Sequence, residues 1–256
     1  MTNGSKSRPR RSACARRSST PTSARRRKSA ARPNPLNGER IPRKVAAGVD
    51  KLIEGYRRFR AGAFQDSKPL IQDLVARGQR PQVAVVACSD SRVEPATLFQ
   101  TDPGDLFMIR NVANLVPPLE EQGKFHGTSA ALEFAVKGLG VKHVVVLGHA
   151  HCGGIKAMMT ADTDGGQFTF VTHWVSMLAA AHRRVLATMS GADEETRTRA
   201  CEQNAVLVSL ENLTTFPWVR ERVEAGELQL HGWYIDIAEG RLSVYDGAQG
   251  KFEPVG

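Results

Sequence analysis

The chain has 256 residues, 41% of them hydrophobic and 24% charged, enough for one large globular domain or two small ones. No apolar run approaches the ~20 residues that span a bilayer, and no n-region plus h-region marks a signal peptide; the Arg pairs near the start are therefore not read as a twin-arginine signal. The net charge of +9 belongs to one end. Of 35 basic and 26 acidic residues, 14 basic residues and only Glu39 fall within residues 1–44, which leaves 21 against 25, a net of −4, for residues 45–256.

Residues 1–43 are rich in Arg, Ser, Pro and Ala and have almost nothing apolar to bury. Such a segment cannot offset its ordering entropy and reads as a disordered basic tail. Arg25-Arg26-Arg27-Lys28 would suit phosphate backbones. A polyanion-binding arm, an organelle-type transit peptide and an extension without a role all compete for it, so any nucleic-acid contact is expected to be nonspecific. Residues 44–256 read as the folded, catalytic domain.

From Lys44 the pattern is helical, with Val45, Val49, Leu52, Ile53, Tyr56 and Phe59 at three- and four-residue spacing. A second helix is expected over 67–77, ending at Gly78. Val83–Ala87 then reads as a strand buried on both faces. A short helix follows at 94–99 with Pro95 in its first turn, and a second strand at 106–109. A helix at 126–139 has Ala131, Leu132, Phe134, Ala135 and Val136 inward, and a third strand spans 141–147. Helices are expected from Gly153, around Trp174–Leu178, over 201–213 and from Pro217. A strand pair at 227–237 and 242–245 closes the chain around Glu239-Gly240. The fold class is α/β: a central, mostly parallel sheet flanked by helices, with an N-terminal helical arm.

Chemistry gathers at two strand ends. Val83–Ala87 runs into Cys88-Ser89-Asp90-Ser91-Arg92, and Val141–Leu147 runs into Gly148-His149-Ala150-His151-Cys152-Gly153-Gly154. In open α/β sheets sites lie past the carboxyl ends of the strands, so Cys88, His149 and Cys152 can meet there. Two thiolates and an imidazole form a catalytic-type zinc set with an open fourth position; a structural zinc would normally close with a fourth protein ligand. Water in that position is acidified towards neutrality, less so than with three imidazoles because thiolates donate more charge. Asp90, held by Arg92, would stay ionised and accept the proton of the zinc-bound hydroxide. The plainer reading makes Asp90 a helix cap and Arg92 a surface ion-pair partner. The Gly153 N–H would face the site from a helix start, although a tight turn explains the glycine equally. The run Gly148–Gly154 fits neither dinucleotide nor P-loop fingerprints.

Four cysteines show no secreted disulfide framework, so a reducing, cytoplasmic compartment is expected. Cys201 reads as packing and Cys14 as a free thiol in the tail. His151 is expected to face away from the metal.

Cys88-Ser89-Asp90-Ser91-Arg92, Arg110-Asn111-Val112-Ala113-Asn114 and Gly148-His149-x-x-Cys152-Gly153-Gly154, in this order and spacing, resemble the β-class carbonic anhydrases over about Val45 to Tyr245. The resemblance implies reversible, zinc-dependent hydration of carbon dioxide to bicarbonate and a proton, with one zinc ion per subunit on Cys88, His149 and Cys152. It implies Asp90 and Arg92 as the catalytic dyad and Gly153 N–H as a substrate contact. Gln79 resembles the glutamine that reaches substrate across a dimer interface in the plant-like subgroup, and Phe107 and Val112 its apolar pocket lining. Phe134 stands where many members place a pocket tyrosine. Val85 replaces the tryptophan of the subgroup that has a noncatalytic bicarbonate site, so no such site is expected. A homodimer or homotetramer is implied. The alternatives are a carbonyl sulfide or carbon disulfide hydrolase on the same scaffold, a nucleic-acid binder acting through its tail, and a structural zinc protein.

Overall fold

A computed structural model describes residues 47–120, 126–160 and 168–256; the basic tail with Cys14, and the expected helix residues before Ala47, lie outside them. The chain divides into two compact units between Gly55 and Tyr56, a boundary inside helix α1 (Ala47–Ala61). Its apolar stripe, Val49, Leu52, Ile53, Tyr56 and Phe59, is exposed. Helix α2 (Ala63–Arg77) begins before the expected Ser67 and runs through Pro69. Its apolar residues mark where the helix can pack, whereas Gly62 marks the break and Asp66 complements the dipole of the first turn.

The apolar runs become a six-stranded sheet. In chain order come β1 (Val83–Cys88), α3 (Pro95–Phe99), β2 (Leu106–Asn111), α4 (Gly127–Glu133), β3 (His143–His149) and α5 (Gly153–Met159). They are followed by α6 (Phe170–Val175), α7 (Ala179–Thr188), α8 (Glu194–Leu213), α9 (Pro217–Glu224), β4 (Gln229–Asp236), β5 (Arg241–Asp246) and β6 (Lys251–Pro254). The strand order is β2-β1-β3-β4-β5-β6. The first four strands are parallel and the last two antiparallel. The chain therefore moves outward from β1 to β2 and returns to β3 on the other side. That reversal leaves a crevice beyond the carboxyl ends of β1 and β3.

Alternate residues of the central strands feed opposite cores. Ala84, Val86, Val144 and Val146 pack with Leu132, Val136, Val206 and Leu213 on one face, and Val85, Ala87, Val145 and Leu147 with Ile235 on the other. Each fully buried Val, Leu or Ile among them stabilises the fold by roughly 1.5–3 kcal/mol.

Several boundaries differ from the sequence reading. Strand β3 starts at His143 and continues to His149, because it pairs with β4 as far as Ile235. Helix α8 begins at Glu194, well before Cys201, because Asp193 caps it by accepting from Thr196 N at 2.7 Å. Helix α4 continues as a π-helical run over Phe134–Leu139. Phe134 is not inward: Leu132, Ala135 and Val136 form the buried stripe and Phe134 is 51% exposed. Strand β6 escaped notice because Phe252 is its only large apolar residue.

Two glycines let α8 lie close to the sheet. A Cβ on Gly148 would meet Val206 Cγ2 at 2.5 Å, and one on Gly232 would meet Leu210 Cδ1 at 2.9 Å. We expect Gly148→Ala to destabilise the protein by about 1–3 kcal/mol through overpacking, read as a lowered urea midpoint. An unchanged midpoint would show that α8 moves freely there.

Candidate metal centre

Cys88 ends β1 and His149 ends the neighbouring β3, while Cys152 is the residue before α5. Parallel pairing brings Ala87 opposite Leu147, so the two strand ends lie side by side. The ligand-type atoms of Cys88, His149 and Cys152 all fall within 4.8 Å of one another and all three residues are buried. They are the one group of three with metal-holding potential among the described residues.

The residues fit zinc. His149 Nδ1–H donates to Ala150 O at 2.9 Å, which fixes the tautomer and leaves Nε2 its lone pair. Nε2 is buried and has no hydrogen-bond partner. The two sulfurs are 3.9 Å apart, with no disulfide between them. Backbone amides of Asp90 and Ala113 favour the thiolate form of Cys88, and those of Gly154 and Ile155 that of Cys152. The Cys88 thiol is pulled down to about 4, chiefly by the hydrogen bond from Cys152, with burial opposing. Cys152 moves the other way, held up by the same contact and by burial. Two such thiols cannot both ionise by themselves; a divalent cation supplies the charge that lets them.

Asp90 and Arg92, two residues apart, pair directly. Arg92 donates from Nε to Asp90 Oδ1 at 3.0 Å and from Nη2 to Asp90 Oδ2 at 2.7 Å, a bidentate pairing. Arg92 Nη2 also donates to His151 O at 2.9 Å, so the guanidinium ties the β1 loop to the loop carrying Cys152. The Arg92 guanidinium holds the Asp90 carboxyl well below the usual carboxylate range.

A second arginine, to which no role had been given, builds the loop itself. Arg110 donates from Nε and Nη2 to Cys88 O at 3.0 and 2.7 Å and from Nη2 to Asp90 O at 3.0 Å. It also donates to Val93 O and pairs with Glu94 at 2.8 Å. Its neighbour Asn111 closes the next turn, accepting from Leu115 N at 2.8 Å and donating to Leu115 O at 2.7 Å. That turn holds Ala113 and Asn114 at φ +64° and +49°, a conformation costly for residues with a Cβ. Gly154 makes room for it, since a Cβ there would meet Val112 Cγ1 at 2.7 Å.

A family model described as carbonic anhydrase matches residues 83–242. A carbonic anhydrase of Synechocystis sp. is 35% identical over 204 residues, covering 80% of this chain and 73% of that protein. The chloroplastic beta carbonic anhydrase 5 of Arabidopsis thaliana is 36% identical, covering 79% of this chain and 67% of that protein. Among solved structures, the beta-carbonic anhydrase CcaA gives a TM-score of 0.77 at 34% identity, over 82% of this chain and 92% of that one. A tetrameric beta-carbonic anhydrase of Sordaria macrospora gives 0.67 at 29% identity, over 77% of this chain and 96% of that one. The chain belongs to the β-class carbonic anhydrases. It is thus a carbonate dehydratase of the metalloenzyme kind, and the sulfide-hydrolase alternative is not favoured.

Within this carbonic anhydrase chain the remaining predicted residues lie in different places. Val112 borders a cleft of about 640 Å³ with Asn111, Thr128 and Trp174, and its carbonyl accepts from Trp174 Nε1 at 2.8 Å. Gly153 is exposed at the start of α5. Phe107 is paired with Ala84, four strand residues back from Cys88 or roughly 13 Å, and packs against Phe134 with the rings tilted and their centroids 5.9 Å apart. Gln79 is exposed in the loop before β1. Phe107, Phe134 and Gln79 therefore do not converge on the Cys88, His149 and Cys152 group of their own chain. His151 is exposed at φ +58°, and Cys201 packs beside Cys152 and Ile155. No helix of the described residues is long and apolar enough to cross a membrane.

Proposed function

We propose that the protein catalyses zinc-dependent, reversible hydration of carbon dioxide to bicarbonate and a proton on Cys88, His149 and Cys152. The observation that carries this is the buried two-thiol, one-imidazole group with a clamped carboxylate two residues after its first member. Zinc held there by Cys88, His149 and Cys152 would supply a Lewis acid and an acidified water.

The chain's own residues do the rest. Asp90 stays ionised and can only accept; Oδ1 is taken by Arg92 N and Nε, and Oδ2 keeps a lone pair beyond the one taken by Arg92 Nη2. It takes a hydrogen bond from the oxygen nucleophile and directs that atom's free lone pair at the carbon of the substrate. Arg92 prevents the carboxylate from rotating. Gly153 N–H, at the positive end of α5, meets the oxygen on which charge develops, and Val112 keeps that side apolar. Gln79, Phe107 and Phe134, remote from Cys88 within one chain, are assigned to the pocket of a partner subunit in a homodimer or homotetramer. The exposed apolar stripe of α1 suits the contact between copies. Residues 44–256 form the catalytic domain, and the tail 1–43 contributes at most nonspecific contact with polyanions. A reducing, cytoplasmic location suits thiol ligands.

The test is stopped-flow carbon dioxide hydration with a pH indicator, on protein of known zinc content, across roughly pH 6.5 to 9. Hydration that rises with pH, disappears on chelation and returns with zinc is expected. A fully zinc-loaded protein without hydration would overturn the assignment, and carbonyl sulfide would then be tried.

A further inference from the structure

A buried carboxylate stands behind the metal centre and belongs to none of the motifs. Glu202 is 3% exposed, on the face of α8 that also carries Ala205, Val206 and Ser209. An acid so placed needs partners. One is the backbone of a metal ligand: Cys152 N donates to Glu202 Oε1 at 3.0 Å. The other is Tyr234, whose hydroxyl donates to Oε2 at 2.6 Å. Burial first, and then this hydrogen bond, push the Tyr234 phenol up, so it remains a donor.

The rest of α8 is bound to the same neighbourhood. Ser209 Oγ accepts from Val116 N at 3.1 Å, and Asn212 donates to Val116 O at 2.8 Å, just past the strained turn of Ala113 and Asn114. The absent side chain at Gly148, one residue before His149, is what admits Val206 of this helix. Thus α8 is seated against β3, and Glu202 extends from it to the N–H of the last ligand.

The geometry points to Glu202 as a positioning residue of the metal centre: gripped by Tyr234, its carboxylate holds the Cys152 backbone and thereby sets where that sulfur sits. The inference rests on the metal reading above. Partners one step removed from a metal fix ligand orientation, and losing one costs about 10- to 100-fold in metal affinity or activity. The role is geometric. Glutamine, whose Oε still accepts from Cys152 N and whose amide can donate to the Tyr234 oxygen, should therefore substitute where alanine cannot.

Zinc affinity is measured by chelator competition on wild type, Glu202→Ala, Glu202→Gln and Tyr234→Phe, with the visible spectrum of the cobalt-substituted proteins as a second readout. Glu202→Ala is expected to bind zinc about 10- to 100-fold more weakly and to shift the cobalt bands, while Glu202→Gln retains most of the affinity. Wild-type affinity and an unchanged spectrum in Glu202→Ala would overturn the proposal. So would a Glu202→Gln that falls as far as alanine. Should Glu202→Ala not fold, Tyr234→Phe decides: a shifted spectrum supports the role, and an unshifted one with full affinity refutes it. A wild type that takes up no metal at Cys88, His149 and Cys152 would sink the metal reading, a distinguishable failure.

Discussion

Asp90→Asn lowers carbon dioxide hydration by about 10²- to 10⁴-fold, the range of a positioned acid–base group, while the protein keeps its zinc. The substitution preserves shape, and its oxygen can still accept from Arg92. The amide, however, offers N–H where the carboxylate offers a lone pair, and the nucleophile's hydrogen loses its acceptor. Zinc content and the hydration rate of one preparation check this together; normal turnover with full zinc would remove Asp90 from the mechanism. The pH dependence has a definite sign. Because the folded carboxyl lies below its ordinary value near 3.9, the stability from its ionised pairing is fully present above that value and is lost as pH falls through the lower folded one. Asp90 therefore does not titrate near neutrality, and a rate that changes there reflects other groups.

Cys88→Ser empties the site of metal and reduces hydration to the uncatalysed background. A hydroxyl does not ionise near neutral pH, so one anionic ligand of three is lost. The cost in affinity exceeds the ~10–100-fold that follows loss of an outer partner. Metal analysis after gel filtration, with the hydration rate before and after added zinc, measures it. A Cys88→Ser protein with one zinc per subunit and wild-type hydration would mean that the metal lies elsewhere. Far-UV circular dichroism separates metal loss from unfolding.

Much of the site was legible because its parts are local. Asp90 and Arg92 are two residues apart and pair directly; Cys88 follows an apolar run that can only be a buried strand. His149 and Cys152 flank the turn that ends another. What escaped was long-range. Arg110 was visible as part of a motif, but that it binds the carbonyls of Cys88 and Asp90 depends on β2 lying beside β1. Glu202 did leave a signal: an acid on the apolar face of a helix, in register with Ala205, Val206 and Ser209. Periodicity alone shows such an acid to be buried without naming its partner.

The sequence by itself determined the α/β class, the four core strands and the residue types at their carboxyl ends, because hydrophobic period, strand length and ligand chemistry are carried by neighbouring residues. The tertiary structure alone decided which strand ends meet, with Cys88 and Cys152 brought together across 64 positions. It alone brought Glu202 onto Cys152 across 50 more, and removed Gln79, Phe107 and Phe134 from their own chain's Cys88, His149 and Cys152 group. The physical reason is that strand order and helix seating follow from packing summed over the whole core. A glycine at 148 acquires its meaning only when Val206 arrives above it.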